Sequence, residues 1–253
     1  MQITCLQRSV VFALAVSTLS LAQPPAAPNW SVITTARIRP EFRAEWEAMQ
    51  KEITAAYKKG GAPFRVVTQT IMGDLMEYTS IVPLGKWAEM DDPSPIEKAL
   101  GAPGSQRLLK RAGAYLTGAD RVSSLALHDI SIETPMADPG QFVAITRYRL
   151  VTGKGAEFTE YMKNDYIPAM RKAEIANLWL SQTVFGGDPN ERVMIRFMHS
   201  LAEIDAGPPS RKALGAEGAA RLAAKQNGII AAARYSIVRV RPDLSAMPPP
   251  PKP

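Results

Sequence analysis

Cysteine is almost absent: Cys5 is the only one in 253 residues, and it lies in an N-terminal stretch with the features of a leader. A chain that loses that stretch keeps no disulfide, no thiolate nucleophile and no cysteine-bound metal. Histidine is nearly as scarce, and His128 and His199 stand too far apart for a metal motif of recognisable spacing. His199-Ser200 is no catalytic pair either, because a triad is a matter of geometry rather than of neighbours. The net charge is +6, yet no run of five basic residues exists. Nucleic-acid surfaces gather such charge on one face among aromatic residues, so no nucleic-acid partner is expected. Gly153-Lys154-Gly155 lacks phosphate-loop spacing and reads as a turn.

Hydrophobic residues make up 46% of the chain and charged ones 21%, which suits a packed core. Arg8 precedes an apolar run, Ser9 to Ala22, that ends in Ser20-Leu21-Ala22, a signal-peptidase pattern with cleavage before Gln23. The run falls short of the ~20 residues that span a bilayer, so residues 1–22 read as a signal peptide rather than an uncleaved anchor. Cys5 precedes the run, which rules out a lipoprotein box. The expected location is secreted or periplasmic, with no membrane contact after cleavage. Residues 23–30 form a proline-rich linker and residues 246–253 a proline-rich tail.

Between them the sequence repeats itself. Lys98-Ala99-Leu100-Gly101-Ala102 recurs as Lys212-Ala213-Leu214-Gly215-Ala216, 114 positions on. The same offset pairs Gly73-Asp74 with Gly187-Asp188, and Asp129 and Ser131 with Asp243 and Ser245. Upstream it shrinks to about 110, which pairs Arg37 and Arg39 with Arg147 and Arg149. The pattern predicts a tandem duplication, 31–131 and 142–245, joined by a linker at 132–141.

Each half reads as β-α-β-β-α-β. Val32 to Arg39 and Phe142 to Leu150 are β-branched and aromatic runs, hence strands. Phe42, Trp46, Met49, Ile53 and Tyr57 recur at three- and four-residue steps, as do Phe158, Met162, Tyr166 and Met170, with Pro168 expected to kink the second helix. Second strands follow at 64–71 and 178–185, and third strands at 78–83 and 193–198. The second helices centre on 104–117 and 218–231, and last strands lie at 121–127 and 235–240. Two such antiparallel sheets, each with helices on one face, can bury their bare faces against each other. The expected fold is α+β: two ferredoxin-like repeats forming a pseudo-dimeric barrel of eight strands. A fused pair needs no second chain, so a monomer or weak homo-oligomer is expected.

The strand-turn-helix start from Ile145-Thr146-Arg147-Tyr148-Arg149-Leu150 to Glu157-Phe158, with the repeated element order, resembles the dimeric α+β-barrel superfamily. That group includes antibiotic-biosynthesis-monooxygenase, NIPSNAP and EthD-like proteins. The resemblance covers residues 31–245 and is one of architecture. It implies cofactor-independent oxygenases, isomerases, haem-binding enzymes or proteins of unknown role, and leaves function open. Haem relatives need an axial ligand, and neither histidine falls on a predicted second helix. No cofactor is expected, with haem left open.

Arg37 and Arg39 lie two apart on a strand and so share a face, as do Arg147 and Arg149. Facing the barrel interior they would suit a carboxylate or phosphate; at strand ends they would be solvated or paired with glutamates. Gln69, Gln182, Trp179 and Tyr78 could line the same cavity, although core packing accounts for Trp179 more cheaply. Three readings follow: a binder of a small anionic or aromatic molecule, a cofactor-independent monooxygenase or isomerase, and a structural protein with a filled barrel.

Overall fold

The computed structural model describes residues 30–62, 64–134 and 140–247; the leader, most of the first linker and the end of the tail lie outside them. The elements run β1 (Trp30–Ile38), α1 (Arg43–Lys59), β2 (Val66–Met72), β3 (Glu77–Leu84), α2 (Pro95–Ala114) and β4 (Leu116–Ala126). A two-residue strand β5 (Ile132–Glu133) leads to β6 (Phe142–Leu150), α3 (Gly155–Tyr161), a π-turn (Met162–Tyr166) and α4 (Ile167–Lys172). The chain then forms β7 (Asn177–Phe185), β8 (Glu191–Met198), short α5 (Ala202–Asp205), α6 (Pro209–Ala224) and β9 (Ile230–Val240). No helix among the described residues is long and apolar enough to cross a membrane.

Eight strands close in the order β4-β1-β3-β2-β9-β6-β8-β7, and β7 returns to β4. All pairings are antiparallel. The two four-stranded sheets are thus one sheet, zipped at the β2–β9 and β4–β7 seams, and closure pairs strand edges that an open sheet would leave bare. The segment read as a linker carries β5, which pairs with the start of β7.

Side-chain period two gives each strand an outer and an inner row. On the outer row of the first half, Ala36, Ile38, Val67 and Tyr78 pack with Trp46, Met49 and Ile53 of α1 and Leu108 of α2. In the second half Tyr148, Leu150, Leu178 and Leu180 pack with Phe158, Met162 and Met170. The inner row holds a cluster built from strands alone: Val143, Val238 and Val240, with Val66, Ile145, Ile195 and Phe197 against it. Apolar side chains therefore fill that part of the barrel.

The second helices start earlier than their periodicity suggests, at Pro95 and Pro209, because a glycine carries the chain through a corner. Gly101 (φ 70°, ψ 164°) and Gly215 (φ 70°, ψ 177°) interrupt α2 and α6 at matching places. That backbone region is open almost only to glycine. Gly101→Ala and Gly215→Ala are each expected to cost about 1–3 kcal/mol, read as a lower urea midpoint with an unchanged slope. The helices also end sooner, so β4 and β9 each begin five residues before the expected strands. Pro168 sits in the first turn of α4, and the irregularity in this helix is the π-turn just before it, which spans Asn164, the residue whose carbonyl a proline at 168 leaves without its helical donor.

Candidate functional site

The β2–β9 seam sets Thr68 opposite Val240 and Gln69 opposite Arg239. Past β9 the chain enters a 3₁₀ turn at Pro242–Leu244, which carries Arg241 over the buried side of α1. There Arg241 donates from Nη1 and Nη2 to the two carboxylate oxygens of Glu47, each at 2.8 Å, and from Nη1 to Gln69 Oε1 at 3.0 Å. Asp243 receives Nε and Nη2 at 2.9 Å. Tyr78 donates its hydroxyl to Glu47 Oε1 at 2.5 Å, and Arg43 approaches the same oxygen at 3.4 Å.

This network settles protonation. The bidentate bond from Arg241 holds Glu47 down at about 2, with Tyr78 and Arg43 adding to it against the cost of burial. Burial and the negative Glu47 push Tyr78 up to about 12. At neutral pH Glu47 is therefore a saturated carboxylate and a weak base, and Tyr78 a hydroxyl donor.

Beside the network lies a half-open cleft of about 510 Å³, lined by Arg43, Glu47, Gln69, Gln141, Arg239 and Arg241. Arg239 differs from the other two cleft arginines. Its guanidinium carbon lies 5.3 Å above the Phe142 ring, and no carboxylate among the described residues pairs with it. A cation over a ring at the wall of a cleft that contains amide donors can receive an external carboxylate.

The residues flagged in the sequence do not converge on one cavity. Gln69 and Tyr78 meet at this network, but on the outer, helix-covered face rather than inside the barrel. Gln182 lies on the outer row beside Leu180 and opposite Arg192, away from the cleft. Trp179 is on the inner row, 40% exposed and edge-on to Phe197 at 4.7 Å. Arg37 and Arg147 do face inward, yet each has an internal partner: Arg37 Nη2 is 2.6 Å from Asp120, and Arg147 Nη1 is 3.4 Å from Glu191. Arg39 lies past the end of β1 and is exposed, as is Arg149.

Register also revises the arginine pairing. Arg37 faces Glu77 and Gly118, while Arg149 faces Glu191 and Ala232, and both sets of partners are 114 apart. Arg37 therefore matches Arg149, and Arg147 matches Thr35, because the Arg-x-Arg pattern is displaced by one strand repeat.

Haem fits poorly. His128 is bonded through Nδ1 to Glu133 at 2.8 Å in a turn after β4, and His199 follows β8. Neither lines the cleft, whose polar groups are carboxylate, amide and guanidinium.

No family model matches the chain, and no curated protein matches it. Among solved structures, a proposed monooxygenase from Lactobacillus acidophilus superposes with a TM-score of 0.58 at 11% identity, over 86% of this chain and 95% of that one. An anthrone oxidase-like protein gives 0.57 at 10%, over 85% and 92%. A proposed chlorite dismutase gives 0.52 at 9%, over 85% and 95%. The chain has the ferredoxin-like α+β-barrel fold that these proteins share.

Proposed function

We propose that this protein is a small-molecule enzyme that takes an anionic substrate in the cleft between α1 and the end of β9. Arg239, stacked on Phe142 and without an internal carboxylate, carries that reading. The Glu47–Arg241–Tyr78 network is its scaffold: it holds the cleft wall with every charge answered and leaves one guanidinium for a ligand. Oxygenation without a cofactor is the reaction class that best suits the site, and two structural neighbours are described as a monooxygenase and as an anthrone oxidase-like protein. Glu47 is too weak a base to create a carbanion at neutral pH, so a suitable substrate enters already ionised, as a phenolate, enolate or carboxylate-bearing phenol. Its electrons reduce O₂; in a methylene-to-carbonyl oxidation one oxygen atom goes to carbon and the other leaves as water with the two hydrogens. An isomerase working on the same anion is the second reading.

The hydrogen bonds that close the two seams recur: Leu127 N to Leu180 O and Ser131 Oγ to Leu127 O in one, Arg241 N to Val67 O and Ser245 Oγ to Arg241 O in the other. We take this, with the 114-residue repeat, as support for duplication of one β-α-β-β-α-β unit, NIPSNAP- or EthD-like in pattern. An exported, monomeric protein with no nucleic-acid partner fits the leader and the fused barrel.

Titration calorimetry with benzoate and salicylate tests the site. Saturable binding is expected, weakened about tenfold in Arg239→Gln, which is the loss of one charge-assisted hydrogen bond of about 1.4 kcal/mol. Oxygen uptake with naphthol- and anthrone-type anions then tests the reaction. Failure of every carboxylate to bind would overturn the reading.

A further inference from the structure

The cleft does not end at Arg239. Along the outer row of β9 come Ile237 and Tyr235, set opposite Ala144 and Thr146 of β6. On the other side a bulge in β2 between Thr70 and Met72 puts Met72, not Ile71, opposite Ile237 and on the same face. Met72 is 62% and Tyr235 72% exposed, unusual for large apolar side chains on the face that elsewhere packs under helices. Neither helix-packed core reaches this strip: the first-half core draws on α1 and α2 and the second-half core on α3, α4 and α6, and neither includes Met72, Ile237 or Tyr235. At about 3.4 Å per residue, Tyr235 lies roughly 14 Å from Arg239.

We infer that the natural ligand is an elongated amphiphile, a carboxylate head held at Arg239 with an apolar tail laid along Ile237, Met72 and Tyr235. This rests on the proposed anion site and adds the ligand's shape. A cation with no internal carboxylate, at one end of an uncovered apolar strip, matches such a molecule in both charge and polarity. A compact polar anion would leave the strip exposed, and a neutral apolar molecule would leave Arg239 without a counter-charge.

Calorimetry with the straight-chain series from butanoate to decanoate, kept below micelle formation, tests this. In the wild type, affinity should rise about twofold for each added methylene, half of the roughly fourfold expected for full burial because the strip is open on one side. Arg239→Gln should lower every member by the same factor and keep the slope. The double variant Met72→Ser, Tyr235→Ser, both exposed positions, should flatten the slope and leave butanoate unchanged. A flat wild-type series with butanoate still bound would overturn this inference alone, as would a slope that survives the double variant. If no member binds, the anion site falls and the inference with it.

Discussion

Arg241→Ala is expected to lower stability by about 2–3 kcal/mol and to remove most of the protein's sensitivity to acid below pH 5. Arg241 joins segments 194 residues apart, from just past β9 to the second turn of α1. The pair is mostly buried, at 17% and 23% side-chain exposure, so the loss leaves a carboxylate poorly solvated rather than returned to water. Chiefly through Arg241, Glu47 sits at about 2 instead of its ordinary 4.5. A carboxylate with a depressed folded value stabilises the native state fully above its unfolded value, and that contribution disappears as pH falls through the folded value. Wild-type stability should therefore decline between about pH 4.5 and 2 by up to about 3 kcal/mol, because each tenfold change in proton affinity is worth about 1.4 kcal/mol. Solvent reaching the cleft side of the pair trims that figure. In Arg241→Ala the decline should be much shallower, since only Tyr78 and Arg43 still face Glu47. Urea midpoints at pH 7 and pH 3 for both proteins give the comparison. Parallel acid losses in the two would show that Arg241 does not hold Glu47 ionised.

Arg65→Ala should be costlier still, by about 3–4 kcal/mol, because Arg65 is a buried cation without a carboxylate. It is 4% exposed and satisfies itself on neutral groups. Nη1 donates to Thr54 Oγ1 at 2.8 Å and to the Leu244 carbonyl at 3.1 Å, and Nη2 donates to Gln50 Oε1 at 2.5 Å. Its backbone bridges to Ala246, so one residue clamps α1, the start of β2 and the last described turn. Desolvation brings its guanidinium down to about 10. Removing it empties a packed space and strands the Gln50 oxygen. Arg65→Met keeps the stem's packing and should lose about half as much, and adding Gln50→Leu should restore part of that loss, since apolar replacement of both partners leaves nothing unsatisfied. Denaturant midpoints for the three variants decide this; an unmoved midpoint in Arg65→Ala would show that the clamp contributes nothing.

Both networks are invisible along the chain for the same reason. Glu47 is one charged residue on an amphipathic helix, Arg65 one residue before a strand, and Arg241 one residue before a proline. None belongs to a motif, and their partners are brought close only when the ring of strands closes. Gln69 and Tyr78 read as polar strand residues that could share a cavity, and they do meet, but on the opposite face from the barrel interior. In a half-exposed strand, alternation labels the buried face. In this barrel both rows are covered, one by helices and the other by opposing strands, so Val67 and Val66 carry equally apolar labels. The Arg-x-Arg pairs mislead differently: their likeness in sequence is offset by two residues from their match in register, which only the cross-strand partners Glu77 and Glu191 reveal.

The chain's own periodicities determined which segments are strands and which helices, and their order. Period two and period 3.6 are local, and glycines and prolines punctuate them. The single cysteine, Cys5, excluded an internal disulfide and a multi-cysteine metal site in the same local way. Which strand edges zip, which row of each strand faces helices, and which arginine is left unanswered were decided by the tertiary structure alone. Those outcomes depend on register between segments more than a hundred residues apart, and a charge acquires its meaning there only once its neighbours have arrived.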